Sequence, residues 1–138
     1  LLPGIEDYIN RIKRFHRFEI RELIPARAKR PEDQVLVDDQ NILKNLDDRD
    51  YLILLDETGM QFTSVTFAQY LDQSLAISAR RIVFAIGGAY GFGESVRKRA
   101  GAILSLSSFT FTHDMVRLIF LEQLYRAFTI KNNLPYHH

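Results

Sequence analysis

Ten residues near the middle of the chain, FAIGGAYGFG (84–93), hold four of its seven glycines. Glycine has no Cβ, so such a loop can turn sharply or let another group approach the backbone closely. The loop lacks the Gly-Lys-Ser/Thr of a P-loop, and its Gly88-x-x-Gly91-x-Gly93 spacing reverses the dinucleotide fingerprint. Two interpretations stay open at this point: a ligand-binding loop, or tight packing of a strand against a helix.

Two further loops, LLDETG (54–59) and SLSSFTFTHD (105–114), also follow apolar runs. In open α/β sheets, ligands bind where the carboxyl ends of the strands meet the following loops. Because three apolar runs each end in a candidate loop, the sequence predicts a pocket at this edge of a sheet.

The elements that must position these loops follow from hydrophobic periodicity. Gly59 is expected to end its strand, and Ser64 and Asp114 are expected to cap the helices that they begin. Strands alternating with helices predict an α/β fold with a largely parallel sheet flanked by helices. The predicted strands span 18–24, 51–57, 81–86 and 102–107, and the predicted helices span 3–15, 32–46, 64–77, 93–100 and 115–131.

Composition narrows the class of protein. The 138 residues fit one domain, with 46% hydrophobic and 25% charged residues. The lack of cysteine excludes a disulfide scaffold, a thiolate nucleophile and a Cys-ligated metal, and it favours a cytoplasmic protein. We expect no membrane span, because no apolar run approaches roughly 20 residues. We expect no export leader, because the sequence does not open with a basic stretch followed by an apolar one. We also expect no metal site, because the four histidines lack zinc-binding spacing.

Charge is distributed unevenly along the chain. Residues 1–30 carry eight basic and four acidic side chains, residues 31–60 carry two and nine, and residues 61–138 carry eight and four. Basic segments on either side of an acidic one are compatible with a surface that faces nucleic acid, although charge runs are usually ordinary solvated faces.

Four motifs occur in order: LLD (54–56), IGGAYGFG (86–93), LSSFTFTHDMVRLIFLEQLYRAFTI (106–130) and PYHH (135–138). Together they resemble the SPOUT-class methyltransferases of the ribosomal RNA large-subunit methyltransferase H family, which modify a pseudouridine. The resemblance implies one domain over residues 1–138 with a deep C-terminal trefoil knot, and a homodimer. It also implies methylation of the N3 ring nitrogen in large-subunit rRNA of assembled ribosomes, with S-adenosylmethionine (SAM) as the donor.

Carried over position by position, the resemblance assigns SAM to the three loops. It implies the following cofactor-binding residues: Leu55, Gly87, Gly88, Leu106, Ser107, Ser108, Phe109, Thr110 and Phe111.

The acceptor nitrogen must lose a proton, so a base or a nearby cation would help. Arg126, Tyr136 and His137 match the family's Y-R-A and P-Y-H elements and are the catalytic candidates. The alternative for Arg126 is a helical ion pair with Glu122 four residues earlier, and the alternative for the tail is disorder. We expect His113 to fix a loop by hydrogen bonding, and Arg117 to contact phosphate, a partner subunit or a surface acid.

A basic surface for rRNA phosphates is the remaining expectation. Its candidate cations are Arg11, Lys13, Arg14, Arg17, Arg27, Lys29, Arg30, Arg97, Lys98 and Arg99.

Two departures from the family are visible. The family has a short apolar strand before its first helix, whereas these residues begin beside that helix, so either the sequence is incomplete or the strand is missing. The family tail often continues with a basic residue where this chain has His138. Two alternative functions also stay open: a SPOUT enzyme acting on another RNA such as tRNA, and a non-catalytic α/β module that binds a nucleotide or a protein.

Overall fold

A computed structural model of the chain describes residues 2–24, 27–77 and 81–137. His138, which entered the sequence predictions, lies outside these ranges. Within them no helix is long and apolar enough to cross a bilayer. The described residues form helices α1 (Leu2–Lys13), α2 (Pro31–Lys44), α3 (Ser64–Leu75), α4 (Glu94–Arg99) and α5 (His113–Lys131), and strands β1 (Tyr51–Gln61), β2 (Ile82–Ile86) and β3 (Ala102–Ser105).

The chain divides into two compact units. The sheet unit consists of Arg21–Met60 and Ala79–Phe109, and the helical unit consists of Leu1–Ile20, Gln61–Ser78 and Thr110–His138.

In the sheet unit the three strands form one sheet in the order β2-β1-β3. Strands β1 and β2 run parallel, in a register that starts with Tyr51 opposite Ile82 and ends with Leu55 opposite Ile86. Parallel strands require a crossover between them, and a helical segment, α3, separates β1 from β2 along the chain. The α/β fold predicted from the alternation of strands and helices is therefore confirmed.

The core of the sheet unit lies against one face of the sheet. Leu52 and Leu54 of β1 are fully buried and pack with Phe92 and with Val96 of α4. Residues 52–55 are all buried, as expected for a continuous apolar run in a strand covered on both faces. Partly buried side chains complete this core, namely Ile42, Leu43, Leu46, Val83, Ala85, Ala100 and Ile103.

A buried ion pair fixes the beginning of β1 to the residue before β2. The Asp50 side chain is fully buried and accepts hydrogen bonds from Arg81 Nε at 3.0 Å and Nη2 at 2.6 Å. Arg81 Nη2 also donates to the carbonyl oxygen of Asn45 at 3.1 Å, just beyond α2. A two-pronged contact of this kind constrains orientation as well as distance, so it helps to set the strand register.

Gly59 does not end its strand as predicted, because β1 continues to Gln61. The glycine instead permits close approach. A Cβ at Gly59 would lie 2.5 Å from the carbonyl carbon of Ile103 in β3, a distance that real Cβ atoms essentially never show.

The helical unit consists of α1, α3 and α5 packed together. The ring of Phe15, just after α1, stacks on Phe128 of α5 with centroids 5.7 Å apart, and Phe67 of α3 meets Phe120 of α5 edge-on at 6.2 Å. These contacts bury one face of α5 and so fix the position of the helix within this unit.

Both predicted helix caps are wrong by one or two residues. Thr63, not Ser64, caps α3, and it forms a reciprocal capping box with Thr66. Thr112, not Asp114, caps α5, with its hydroxyl accepting from the Met115 amide at 3.4 Å. Ser64 instead donates its hydroxyl to Gln123 Oε1 at 2.8 Å.

The predicted strand over 18–24 is also wrong. This segment is irregular, and most of its side chains are exposed, including Ile20, Leu23 and Ile24. Its alternation of apolar and polar residues therefore does not correspond to one buried face and one solvated face.

Candidate active site

The register of the sheet places three of the predicted cofactor residues together. Leu55 is buried in β1 and lies opposite Ile86, the last residue of β2. Gly87 and Gly88 follow directly. The pairing of the two parallel strands therefore ends beside Gly87, but β1 itself continues to Gln61, so residues 54–59, predicted to form a loop, belong to the strand.

The glycine loop itself is a tight turn. The amide of Gly91 donates to the carbonyl of Gly88 at 3.1 Å, and the two glycines form an isolated antiparallel bridge. Gly91 has φ of +75°, in the left-handed region that side chains disfavour. Tyr90 is more than half exposed in this turn.

Two consecutive acids of α2 make the close approaches that this loop permits. A Cβ at Gly88 would lie 2.8 Å from Asp38 Oδ2, and a Cβ at Gly93 would lie 2.6 Å from Asp39 Oδ2. Sequence reasoning did not identify either acid. The one available signal was an aspartate, Asp39, on the apolar side of α2, four residues after Val35 and four before Leu43.

Asp39 is buried and joins α2 to the beginning of α4. Its carboxylate accepts hydrogen bonds from the Gly93 amide at 2.9 Å, the Ser95 hydroxyl at 2.8 Å and the Val96 amide at 3.3 Å. These donors include amides of the first turn of α4, which have no partner within the helix. Asp39 thus acts as a cap provided by another helix, and it fixes the second end of the glycine loop.

Asp38 is only half-buried and differs from Asp39 in its partners. Gln34 Nε2 donates to Asp38 Oδ1 at 3.0 Å, and the Gln34 side-chain oxygen accepts from the Ala28 amide at 2.8 Å. Within the described part of the chain, Asp38 Oδ2 has no hydrogen-bond donor. The oxygen beside Gly88 therefore remains available to a ligand.

Asp56, the acid of the LLD motif, pairs with Arg97 at 3.5 Å. Burial alone would raise the pKa of Asp56, but hydrogen bonds from the hydroxyl and amide of Thr58 and the charge of Arg97 together lower it below its usual value. The Asp56 carboxylate therefore stays ionised, and it lies directly after Leu55 in the chain.

The third loop begins where β3 ends at Ser105. The Ser105 hydroxyl donates to the carbonyl of Ser107 at 3.0 Å, and the Ser107 hydroxyl accepts from the Phe109 amide at 3.0 Å. Phe109 is 77% exposed, whereas Leu106 is half-buried. Residues 106–109 belong to the sheet unit with Leu55, Gly87 and Gly88, while Thr110 and Phe111 belong to the helical unit.

The three catalytic candidates are in contact in the helical unit. Arg126 Nε donates to Glu122 Oε1 at 2.9 Å, Arg126 Nη1 lies 3.1 Å from His137 Nδ1, and the Tyr136 hydroxyl donates to Glu122 Oε1 at 3.3 Å. The Arg126 guanidinium also lies 4.9 Å from the centre of the Tyr136 ring. We call Tyr8, Glu122, Arg126, Tyr136 and His137 the Arg126 cluster.

Electrostatics assign protonation states within this cluster. The hydrogen bond with Glu122 raises the pKa of Arg126, against a smaller opposing effect of burial. Burial raises the pKa of Tyr136 well above its usual value, and the hydrogen bond with Tyr8 and the charge of Glu122 act in the same direction. Arg126 therefore stays cationic, and Tyr136 stays a neutral phenol that can donate but is a poor base.

The proton of neutral His137 follows from its partner. Arginine can only donate, so His137 Nδ1 accepts from Arg126 and the ring proton of the neutral imidazole lies on Nε2. The ion pair between Arg126 and Glu122, given above as the alternative to a catalytic role, is present, but it leaves Nη1 directed at His137. The described tail, as far as His137, is docked on α5.

The other candidates lie apart from the Arg126 cluster. His113 is exposed at the start of α5, with its Nδ1 4.0 Å from Asp114 Oδ1. Among the described residues there is no group of three or more His, Cys, Asp or Glu side chains arranged to hold a metal.

The structure separates the ten predicted phosphate-binding cations into two groups. Lys13, Arg14, Arg17, Arg27 and Lys29 are exposed, and they make no ion pair or side-chain hydrogen bond with any other described residue. The other five are engaged: Arg11 with Asp7, Arg30 with Asp33, Arg97 with Asp56, Lys98 with Glu94, and Arg99 with the carbonyls of Asp47 and Asp50.

Comparison with known proteins gives consistent matches over nearly the whole chain. Residues 1–137 match the family described as predicted SPOUT methyltransferase. A Parabacteroides distasonis protein named ribosomal RNA large subunit methyltransferase H is 45% identical, over 99% of this chain and 89% of its own length. Proteins of the same name from Christiangramia forsetii and Trichlorobacter lovleyi are both 44% identical, over 97% and 98% of this chain and 87% and 88% of theirs.

Proposed function

This chain belongs to the SPOUT methyltransferase family, and from that premise we propose that it methylates large-subunit ribosomal RNA with SAM as the methyl donor. The observation that carries the proposal is the similarity to proteins named for this activity along almost the entire chain. The acceptor in the proposal is N3 of a pseudouridine, presented by the assembled ribosome.

Leu55 within β1 and the loops that follow β2 and β3 suit a nucleoside cofactor that carries an amino acid. A Cβ at Gly88 would meet the Asp38 carboxylate at 2.8 Å, and a Cβ at Gly87 would approach the ring of Phe92 to 3.3 Å. Leu55, Leu106 and Phe109 would cover an adenine, while backbone groups around Gly87 and Gly88, together with Ser107 and Ser108, would bind its polar edge. Thr110 and Phe111 complete the proposed cofactor-binding set.

When bound, SAM supplies a methyl group already activated by its sulfonium, so the protein needs neither a nucleophile nor a metal. The work of the protein is alignment of the reacting atoms. We assign the fold around these loops to the deep trefoil knot of the family, in a single domain over residues 1–138, and we assign the chain to a homodimer.

The Arg126 cluster is the proposed catalytic group. Removing the N3 proton leaves negative charge on the imide, and Arg126 remains a cation that stabilises such charge. The raised pKa of Tyr136 makes this residue a hydrogen-bond donor in the proposal and not the base. His137 has its Nδ1 engaged by Arg126, so Nε2–H is the atom that it would present to the acceptor.

Phosphate contacts are assigned to the exposed, unpaired cations. Lys13, Arg14 and Arg17 lie within five residues at the end of α1, where no acid among the described residues neutralises them. Release of counterions from RNA by such side chains favours binding in a salt-dependent way. The five engaged cations contribute less, because their partners already compensate much of their charge.

The test is transfer of labelled methyl from SAM to ribosomes that lack the modification, compared with isolated rRNA fragments and with tRNA. We expect label in the large-subunit rRNA of intact ribosomes, at N3 of one pseudouridine by mass spectrometry, and weak labelling of fragments. Label in tRNA would favour the alternative acceptor, and absence of labelling with all three would contradict the proposal.

The variant Arg126→Gln provides the matched control for the assay. It should retain binding of S-adenosylhomocysteine (SAH) because it leaves the glycine loop unchanged, and it should lose methyl transfer by at least about a hundredfold. Equal activity of this variant and the wild type would remove Arg126 from the catalytic group without contradicting the methyltransferase activity.

A further inference from the structure

We propose that Asp38 recognises a cationic group of the bound cofactor, either the sulfonium or the α-ammonium of SAM. This inference rests on the proposed function, because it assumes that the glycine loop binds SAM. It adds a specificity-determining residue that the four sequence motifs do not contain.

The position of Asp38 is the first observation. Its Oδ2 atom is so close to Gly88 that a Cβ there would come within 2.8 Å of it. Gly88 comes two residues after the end of β2, and β2 ends opposite Leu55. The carboxylate thus lies against the loop that the proposed function assigns to the cofactor.

The availability of Asp38 is the second observation. Gln34 engages only Oδ1, at 3.0 Å, and through its own contact with the Ala28 amide Gln34 holds the carboxylate in place. Oδ2 receives no hydrogen bond from any residue in the described ranges. By contrast, both oxygens of Asp39 are hydrogen-bonded, and Asp56 is engaged by Thr58 and Arg97.

The chemistry of the ligand completes the argument. SAM carries two cationic groups, an ammonium and a sulfonium, SAH keeps only the ammonium, and 5′-methylthioadenosine has neither. A half-buried carboxylate attracts a cation more strongly than an exposed one does, because less water screens the pair. A carboxylate beside the loop should therefore favour the two charged ligands over methylthioadenosine.

The experiment is calorimetric titration of the full chain with these three ligands. Asp38→Asn removes the charge but keeps an oxygen that can accept from Gln34. Asp33→Asn, on the same helix, is the control, because the Asp33 side chain is 39% exposed and pairs with Arg30, and its replacement changes the net charge equally. We expect D38N to weaken SAM binding about tenfold, the effect of losing one close charge partner in a half-buried site, and D33N to have no effect.

The pattern across ligands identifies the cation. Loss of affinity for SAM and SAH but not for methylthioadenosine assigns the ammonium, and loss for SAM alone assigns the sulfonium. Equal loss for all three ligands would mean that Asp38 only shapes the loop, and unchanged affinities would mean that it plays no part; either result overturns the inference.

Folding and the underlying premise are checked separately. Thermal melts of D38N should match the wild type, and Asp38→Ser, which keeps a short acceptor, provides a second variant in which the same loss is expected. If the wild type binds neither SAM nor SAH, the proposed function is overturned together with this inference. If the wild type binds both and D38N binds them equally well, only the inference is overturned.

Discussion

Replacing Asp39 by alanine removes the acceptor of three hydrogen bonds that join α2 to the end of the glycine loop and to α4. The bond from the Gly93 amide to a buried carboxylate is the strongest, at about 2 kcal/mol, since hydrogen bonds to charged groups contribute about 1.5–3 kcal/mol. The Val96 amide, longer at 3.3 Å but left without a partner in a buried position, adds about 1 kcal/mol. Ser95 is exposed and can bond to water, so its loss adds little.

The total gives an expected loss of about 3–4 kcal/mol in the free energy of unfolding for Asp39→Ala. Urea denaturation followed by circular dichroism, without cofactor, measures it directly. Asp48→Ala is the control, because Asp48 is an exposed acid whose side chain makes no hydrogen bond or ion pair with another described residue, and its replacement should change stability by less than about 0.5 kcal/mol. A D39A variant within about 1 kcal/mol of the wild type would refute this account of Asp39.

A double-mutant cycle between Asp39 and Gly93 tests the same contact by changing the glycine. Gly93→Ala places a Cβ 2.6 Å from Asp39 Oδ2 and 2.8 Å from Val35 Cγ1, so it should destabilise the wild type. In the D39A background the carboxylate contact is gone, and G93A should cost at least about 1 kcal/mol less. Additive effects would mean that the carboxylate does not determine the need for glycine at position 93.

Three further predictions concern separate parts of the molecule. The folded state raises the pKa of Tyr136 and therefore binds the phenolic proton more tightly than the unfolded chain does. The free energy of unfolding should consequently fall as the pH rises above about 10. Tyr136→Phe should lessen that fall in urea titrations at several pH values. Replacing Lys13, Arg14 and Arg17 together by glutamine should reduce the slope of log affinity for ribosomes against log salt by about 2 to 3 without changing SAH affinity, and an unchanged slope would exclude these phosphate contacts. Gly59→Ala should destabilise the fold by about 3 kcal/mol, because its Cβ would meet the backbone of β3, and an unshifted urea midpoint would contradict this.

The parts of the fold that sequence predicted well are those determined by local signals. The run YLILLDE is apolar for longer than an amphipathic pattern allows, and residues 52–55 are indeed all buried in β1. The helical period of α5 was equally clear, and of the five apolar positions that share it three are buried and two are half-buried. The buried ones are Phe120, Leu124 and Phe128, and the half-buried ones are Val116 and Ile119. The period of α5 identifies a helix because its apolar side chains share one face only at the helical repeat, whereas the short length of the continuous run in β1 favours a buried strand.

The wrong predictions concern features that depend on a residue distant in sequence, or on which of two adjacent residues takes a role. The segment 18–24 alternates as a strand does, but a strand also needs a neighbour to pair with, and alternation does not provide one. Thr63 and Ser64 are both residue types that cap helices, and the geometry of the turn selects Thr63, whose hydroxyl accepts from the Thr66 amide. Gly59 was interpreted as a strand end, whereas the reason for the glycine lies in β3.

The candidate site shows the same division. The tail residues Tyr136 and His137 were linked to Arg126 only by resemblance to a family, and the structure brings all three into contact. Asp38 and Asp39 were not found, because the residues that they touch lie about 50 positions further along the chain. The spacing of apolar residues within one helix or strand does not predict a contact between residues so far apart in sequence.

The hydrogen bond between Asp39 and Gly93 also bears on the order of folding. It closes a segment of 54 residues, within which β1, α3 and β2 must all form. During synthesis α2 emerges before its partner exists, so Asp39 remains a hydrated anion until the glycine loop is made. Closing such a segment costs chain entropy that only the long-range contact repays. The glycine loop should therefore acquire its final shape late in folding, after β2 and β3 have each paired with β1.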